Sequence, residues 1–376
     1  MTVSRKRQKC LREIPPLTEN KIMTAYIIRR LLIMPFILLG VTVLIFAMLQ
    51  LLGPVERSAL YVRDIPKTEG QVQAVINRYG LDDPLPVQYF GWMVGRIDPE
   101  TGERIGGVLR GDLGYSRTGR EPVIDLLKRR LPATLELALW SIVPVIGVGV
   151  WFGIVAALNH NKPIDQVSRV VAILGWSFPT FVFGLLMVLI FYAKLGWFPP
   201  GRISIEFAQE IAGPDFRQFT GMITFDALLN FRLDIFLDAL RHLVMPVITL
   251  SVVISALLLK VTRSSMLEAL RQDYVTTARA KGLPEKLVIS RHVRRNALIP
   301  VTTVAGTTVA GLMNGAIVVE TIFNYPGIGS AAAAAALSLD VFTMLGYALF
   351  TAALFVFANL IVDVLYGVLD PRVRLT

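Results

Sequence analysis

The sequence predicts an all-α polytopic membrane protein with six transmembrane helices and a folded external subdomain between the first two. Three observations lead there. Of the 376 residues, 54% are hydrophobic and only 18% charged, below the ~25% charged that is usual for soluble domains. Apolar runs of about 20 residues recur, each long enough to cross a ~30 Å hydrocarbon layer. The runs are continuous rather than alternating, which selects helices over barrel strands.

Residues 1–22 are polar and basic and hold the only cysteine, Cys10. No clear apolar core or small-residue cleavage site marks them as a signal peptide. They are set aside as an N-terminal extension or an upstream start. The first span is read as Tyr26–Leu52, with Arg29 and Arg30 at its entry. Residues 53–131 follow. Scattered aromatics (Tyr61, Tyr79, Tyr89, Phe90, Trp92, Tyr115) mark this region as ordered, and it ends in the amphipathic stretch EPVIDLLKRRL. The second span is Ala133–Leu158, bent at Pro144. The third is Val170–Ala193, kinked at Pro179, because proline removes a helical hydrogen bond. Polar residues 194–241 carry Trp197 and Phe198 at the lipid boundary, where aromatics are favoured. The fourth span is His242–Leu259 and the fifth Leu298–Val319, with a basic loop between them. A turn and an Ala-rich helix, ETIFNYPGIGSAAAAAALSLD, precede the sixth span at Val341–Tyr366. The division is thus an extension at 1–22, a first helix plus external region at 23–131, a five-helix domain at 132–366, and a tail at 367–376.

Charge orients the spans. Residues 1–30 and 260–297 each carry net +6, and 158–169 and 370–376 each net +1. The alternate loops are nearly neutral, with 53–131 at net +1 and 194–241 at net −1. Short loops rich in Lys and Arg stay on the cytoplasmic side. Both termini and the basic loop are therefore expected in the cytoplasm.

Enzyme chemistry is not legible. The chain has no G-x-x-x-x-G-K-[ST], no G-x-S-x-G and no H-E-x-x-H. His160, His242 and His292 stand far apart, without metal-ligand spacing. No cofactor, metal or nucleic-acid partner is expected for this chain. The fifth span is unusually polar and small. Thr303, Thr307, Gly311 and Asn314 fall at helical spacing on one face, which either lines a pathway or packs closely on another helix. Gly149-x-x-x-Gly153 and Gly311-x-x-x-Gly315 allow close helix approach. Glu136, Glu320, Asp340 and Asp363 fall within or near span ends. The headgroup level is the ordinary place for such acids, and a water-filled interior the functional one. Glu320, closing the fifth span before a turn, and Asn314 are the candidates for an external gate.

The basic loop contains DYVTTARAKGLPEKLVISRHVRRNALIP, Asp273 to Pro300. Asp273 suits a helix N-terminus, Gly282 a helix stop, and Pro284 the first turn of a second helix over Glu285–Arg295. The short helix Asp273–Lys281 is either a docking handle or a basic helix resting on anionic lipid.

DYVTTARAKGL resembles the cytoplasmic loop of the dipeptide/oligopeptide/nickel permease family of ABC importers. This is that family's form of the EAA motif, E-A-A-x-x-x-G followed by I-x-L-P. Ala278 and Gly282 match its Ala and Gly. Thr276 and Thr277 replace Glu and Ala, as in the peptide branch. YIIRRLLIMPFILLGVTVLIF, GLDDPLPVQY, GDLGYS, LPATLELAL, ETIFNYPGIG and LDPRVR also resemble that family, which extends the likeness over Met23–Arg374. GPVE after the first span departs from the GDP-type sequence of relatives. The resemblance implies the type I ABC importer permease fold in a bacterial or archaeal plasma membrane. It also implies a homologous second permease, two ABC ATPase subunits that bind ATP and Mg, and an extracytoplasmic solute-binding protein. By the same resemblance Asp273–Leu283 is the ATPase-coupling segment. Tyr274, Ala278, Ala280 and Leu283 are expected to pack into an ATPase groove, with Thr277 on the same helix, and Arg279 and Lys281 to reach its acidic residues. An ion-coupled secondary transporter or a non-transporting docking protein are the competing readings. The first lacks intramembrane ion-coupling residues, and the second has no need of a polar fifth span.

Overall fold

A computed structural model describes residues 17–62, 68–99, 101–313 and 316–369. Helix α1, Leu17–Leu49, starts within the basic extension. The region after it folds as α2 (Pro54–Leu60), α3 (Glu69–Tyr79) and α4 (Leu85–Val94). Two antiparallel ribbons follow. β1 (Arg96–Ile97) pairs with β2 (Arg104–Ile105), Arg96 opposite Ile105, and β3 (Tyr115–Ser116) pairs with β4 (Glu121–Pro122), Tyr115 opposite Pro122. Helix α5, Val123–Leu158, runs unbroken through Pro132 and Pro144. The amphipathic stretch is therefore the first turns of the second span rather than a separate helix.

The third span departs most from expectation. Helix α6 (Pro163–Ser177) and helix α7 (Thr180–Met187, continuing as a π-helical segment to Lys194) meet at 100°. Phe178 takes an extended conformation, φ −76° and ψ 123°, as a residue before proline prefers. Pro179 thus breaks the helix where a kink was expected. Helices α8 (Ile205–Ile211) and α9 (Ile223–Leu229) lie in the next polar region. Helix α10, Leu233–Leu270, extends the fourth span at both ends. Then come α11 (Asp273–Ala280), α12 (Glu285–Met313), α13 (Ile317–Ile322), α14 (Ile328–Leu337) and α15 (Val341–Leu369). Among the described residues five helices are long and apolar enough to span a bilayer, and there are six if the broken α6–α7 pair crosses as one span.

The core gathers along α5 and α10. Ala133, Leu137 and Val145 of α5 and Met245, Leu250 and Leu258 of α10 enclose Val301 and Leu312 of α12, with Phe323 and Tyr325 from the following turn. Two glycines set the α5–α10 distance. A Cβ on Gly149 would stand 2.6 Å from Leu258 Cβ, and one on Gly153 would stand 2.5 Å from Thr262 Cβ. Gly311 has nothing within 4 Å of where its Cβ would be, so that small face packs on no helix of the described chain. Its partner Gly315 lies outside the described residues.

The 53–131 region is fastened to two spans. Thr42 of α1 shares a 2.8 Å hydrogen bond with Tyr89 of α4. Asp340, just before α15, accepts from Ser116 Oγ (3.0 Å), Thr118 N (2.9 Å) and Thr343 Oγ1 (2.8 Å). Burial alone would raise the Asp340 carboxyl, but these donors hold it below the usual carboxylate range. Asp340 is thus 3% exposed and works as a clasp.

Overpacking a tight helix contact costs about 1–3 kcal/mol. Gly153→Leu is accordingly expected to destabilise the protein by that order. Gly311→Ala should be neutral or stabilising by up to about 1 kcal/mol, from helix propensity. Thermal unfolding of the two purified variants beside wild type checks both signs.

Candidate functional site

Helix α11 is the short element between the α10 and α12 spans, and its two faces differ. Val275 is fully buried and Ala278 is 5% exposed. They pack on Met266 and Ala269 of α10, Val288, Val293 and Ala297 of α12, and Ile154 and Ala157 of α5. Leu283 packs against the same cluster. The helix is therefore seated on the ends of three spans. Full burial of a valine contributes about 1.5–3 kcal/mol, enough to hold so short a helix in place.

The seat depends on a local irregularity. Residues Val288–Val293 of α12 form a π-helical turn, and both valines are 0% exposed within one cluster. Five residues of α-helix advance about 140° past a full turn, so an uninterrupted helix would point the two valines apart. The π turn gathers them under α11. At the other end of α11, Gly282 adopts φ +76°, a left-handed stop that any other side chain would strain.

Ala278 and Leu283 thus turn inward, where an outward docking role was expected. The physical reason is the apolar pair at i and i+3, Val275 and Ala278, on an otherwise polar helix. That spacing was visible in the sequence and marks the buried face. Asp273, Tyr274, Thr277, Ala280, Lys281 and Gly282 stay exposed. Arg279 is exposed too, but already bonded: its Nη2 donates to Glu285 Oε1 at 2.6 Å. Beside Tyr274 lies an open notch bordered by Glu268, Gln272, Asn296, Ile299 and Pro300.

The expected pathway residues do not form one group. Thr303 and Thr307 lie exposed on α12, with Gly311 one turn further on the same face. The hydroxyls of Thr302 and Thr308 instead turn back to the carbonyls of Ile299 (2.7 Å) and Val304 (2.7 Å). Asn314 lies outside the described residues. Glu320 is separated from the threonines because Ala316 leaves helical geometry (φ −99°, ψ 74°), short of the expected end at Val319, and Glu320 belongs to α13. It is 0% exposed. Its carboxylate accepts from Thr134 Oγ1 of α5 (2.9 Å) and from Ser330 N (2.9 Å), while Ile328 N donates to Thr134 Oγ1 (2.8 Å). Glu320 therefore caps the first turn of α14, where a negative charge is favourable. Gly327 makes this possible, since a Cβ there would stand 2.4 Å from the carboxyl.

Glu136 was expected at the headgroups, but it is 1% exposed. It accepts from Arg202 Nε (2.8 Å) and Nη2 (2.6 Å), Thr224 N (2.6 Å) and Oγ1 (2.8 Å), and Tyr325 Oη (3.0 Å). A buried acid in a span signals the need for a cation. No local pattern identified Arg202, 66 residues away, as that cation. At the α11 end, Asp165 is likewise buried and takes two bonds from Arg263 of α10, at 2.6 and 2.9 Å.

Two family models cover almost all of this architecture. The description "binding-protein-dependent transport system inner membrane component" matches residues 149–375, and the N-terminal model of the same family matches 23–138. The chain belongs to this permease family. It is 38% identical over 355 residues to the di/tripeptide transport system permease protein DppB of Pseudomonas aeruginosa, covering 94% of this chain and 99% of that one. The oligopeptide transport system permease protein AppB of Bacillus subtilis is 35% identical over 354 residues, covering 94% and 100%. The dipeptide transport system permease protein DppB of Escherichia coli K12 is 35% identical over 355 residues, covering 94% and 99%. The permease is a multi-pass membrane transport component and not an enzyme, and its helical architecture is the type I ABC permease fold.

Losing one partner of a buried ion pair costs about 3–5 kcal/mol. Arg202→Ala is expected to destabilise the permease by that order. Pairing it with Glu136→Gln should recover much of the loss, because the uncompensated charge is then gone. Unfolding midpoints of the two single variants and the double variant check this. Additive losses would mean that the pair is uncoupled.

Proposed function

We propose that this chain forms half of the transmembrane pathway of an ATP-driven importer for di- or oligopeptides or a related solute. The names of its relatives support the solute class. The partners are a homologous second permease, two ABC ATPase subunits that carry ATP and Mg, and an extracytoplasmic solute-binding protein. The charge asymmetry of the loops supports cytoplasmic termini and a cytoplasmic α11.

One observation carries the mechanism: α11 has a buried face on α5, α10 and α12 and an exposed face bearing Tyr274, Thr277, Ala280 and Lys281. The exposed face seats in a groove of one ATPase, and Tyr274 and Ala280 supply the packing. Arg279, bonded to Glu285, braces α11 to the start of α12 and contributes little to the ATPase contact. Closure of the ATPase pair on ATP pulls α11. Close-packed interfaces move as bodies rather than deforming, so α10 and α12 follow. The open face of Thr303, Thr307 and Gly311 rides on α12 toward the second permease and lines the pathway with it. Asn314, which follows Gly311 at helical spacing in the sequence, is assigned to the same pathway. Glu320 acts as a positioning residue, fixing the turn after α13 relative to α5.

The two faces of α11 separate in experiment. Tyr274→Ala and Ala280→Asp are expected to weaken ATPase retention by about tenfold or more and to abolish ATP-dependent uptake, with wild-type thermal stability. Ala278→Asp should lower stability as well as uptake. Co-purification, uptake into vesicles and unfolding midpoints are the readouts. Full uptake and undiminished ATPase retention in the Tyr274 and Ala280 variants would remove α11 as the coupling element.

A further inference from the structure

The contact between α1 and the 53–131 region encloses a cation that meets no carboxylate among the described residues. Arg57 of α2 is 6% exposed. Its Nη1 donates to Gln50 Oε1 (2.6 Å) and Gln88 Oε1 (2.7 Å), and its Nη2 to the Leu81 carbonyl (3.0 Å). All three acceptors are neutral. Its Nε is buried and meets no acceptor among the described residues. A buried charge left in this way is costly unless something completes its shell. The Arg57 side chain lines a cavity of about 270 Å³ together with Tyr61, Tyr79, Trp92, Arg96 and Asp112. Arg96 is already paired with Asp83, and exposed Asp112 accepts from Gly114 N at 2.9 Å. Burial pushes the Tyr61 hydroxyl up to about 12 and raises that of Tyr79, so both stay protonated and able to donate at neutral pH. The cavity thus offers a guanidinium with no carboxylate partner among the described residues, and hydroxyl donors among aromatic walls, which suits an oxyanion.

A second feature says what carries the oxyanion. An apolar groove lies between Val43, Phe46 and Ala47 of α1, with Gln50 just after it, and Leu85, Pro86 and Tyr89 of α4. Phe46 and Gln50 line both the groove and the cavity. The groove lies on the outer surface of a membrane span, where Val43 is 48% and Leu85 57% exposed. A free solute anion has no use for such a groove, whereas an amphiphile fills both parts.

We propose that the cavity and groove hold one membrane phospholipid, with its phosphodiester on Arg57 and an acyl chain between α1 and α4. Such a lipid completes the shell of the buried cation and fixes the 53–131 region to its leaflet. This assignment stands apart from the transport reading.

The test uses the full-length chain, purified in its native assembly and equilibrated in mixed micelles of phosphatidylglycerol and the diacylglycerol of the same chains. Tightly retained lipid is then measured by mass spectrometry. Wild type is expected to retain phosphatidylglycerol in preference to diacylglycerol. Arg57→Gln should cut that retention by about tenfold or more, the loss of a charge-assisted contact, and Arg57→Lys should keep most of it. Ala47→Trp fills the groove and leaves Arg57 intact, so it should produce the same loss without disturbing the buried network. Leu32→Trp, elsewhere on the exposed surface of α1, should have no effect. Three results would overturn the proposal. Equal retention of diacylglycerol would leave only an apolar groove. Displacement by millimolar inorganic phosphate would make this a site for a soluble anion. Absence of retained lipid from wild type would mean that a protein surface, or nothing, covers the site.

Discussion

The fold depends on carboxylates that have been taken out of water and then fully supplied with donors. Glu136 is the leading case. Alone in an apolar span it would be expelled or protonated. Instead it gathers Arg202, Thr224 and Tyr325, which belong to the polar region after α7, to α9 and to the turn after α13. One side chain on α5 thereby fixes three segments far apart in sequence. Such a cluster contributes little net stability compared with an apolar core of the same volume. What it does is exclude other arrangements, since any shift of those segments strands a charge. Glu320 and Asp340 repeat the device, one capping α14 and the other clasping Ser116 and Thr118. The polar regions beside the spans are thus held to them by buried acids as well as by apolar clusters around Phe216 and Phe342.

The opposite end is built on the other principle. Apart from the exposed Arg279–Glu285 pair, α11 is held by apolar contacts with Met266, Ala269, Val288, Val293 and Ala297. Contacts of this kind are non-directional and can slide or re-form after a rigid-body shift. A charged clasp at the same place would resist every displacement. The acid-clasped end and the apolar seat therefore have different mechanical characters, and a lever that must move without unfolding belongs on the second.

Much of the architecture was legible in the sequence because it follows from short-range rules. The spans could be read from continuous hydropathy, the stop at Gly282 from its left-handed tolerance, and a close helix approach on α5, though not its partner, from Gly149 and Gly153. The difficulties are long-range. The partner of Glu136 required knowing which loop folds over α5, and no local pattern carries that. Glu320 read as a span end because apolar Ile317–Val319 continues the hydropathy of α12. Helical geometry is in fact interrupted at Ala316, and the carboxylate reaches forward to an amide ten residues on. Pro179 was legible as a disturbance but not as a 100° corner, because the outcome depends on what packs against both arms. Ala278 was placed on the wrong face. A family motif says that a residue matters, while the i, i+3 pairing with Val275 says which way it points.

The π turn at Val288–Val293 sets an angular phase. A π turn inserts the equivalent of one residue into an α-helix, and each residue advances the helix by about 100°. Everything beyond Val293 is rotated by that amount relative to the residues before Val288. Thr303 and Thr307 therefore owe their open position to a turn three helical repeats away from them. The compass bearing of the polar face and the grip on α11 are two settings of one screw.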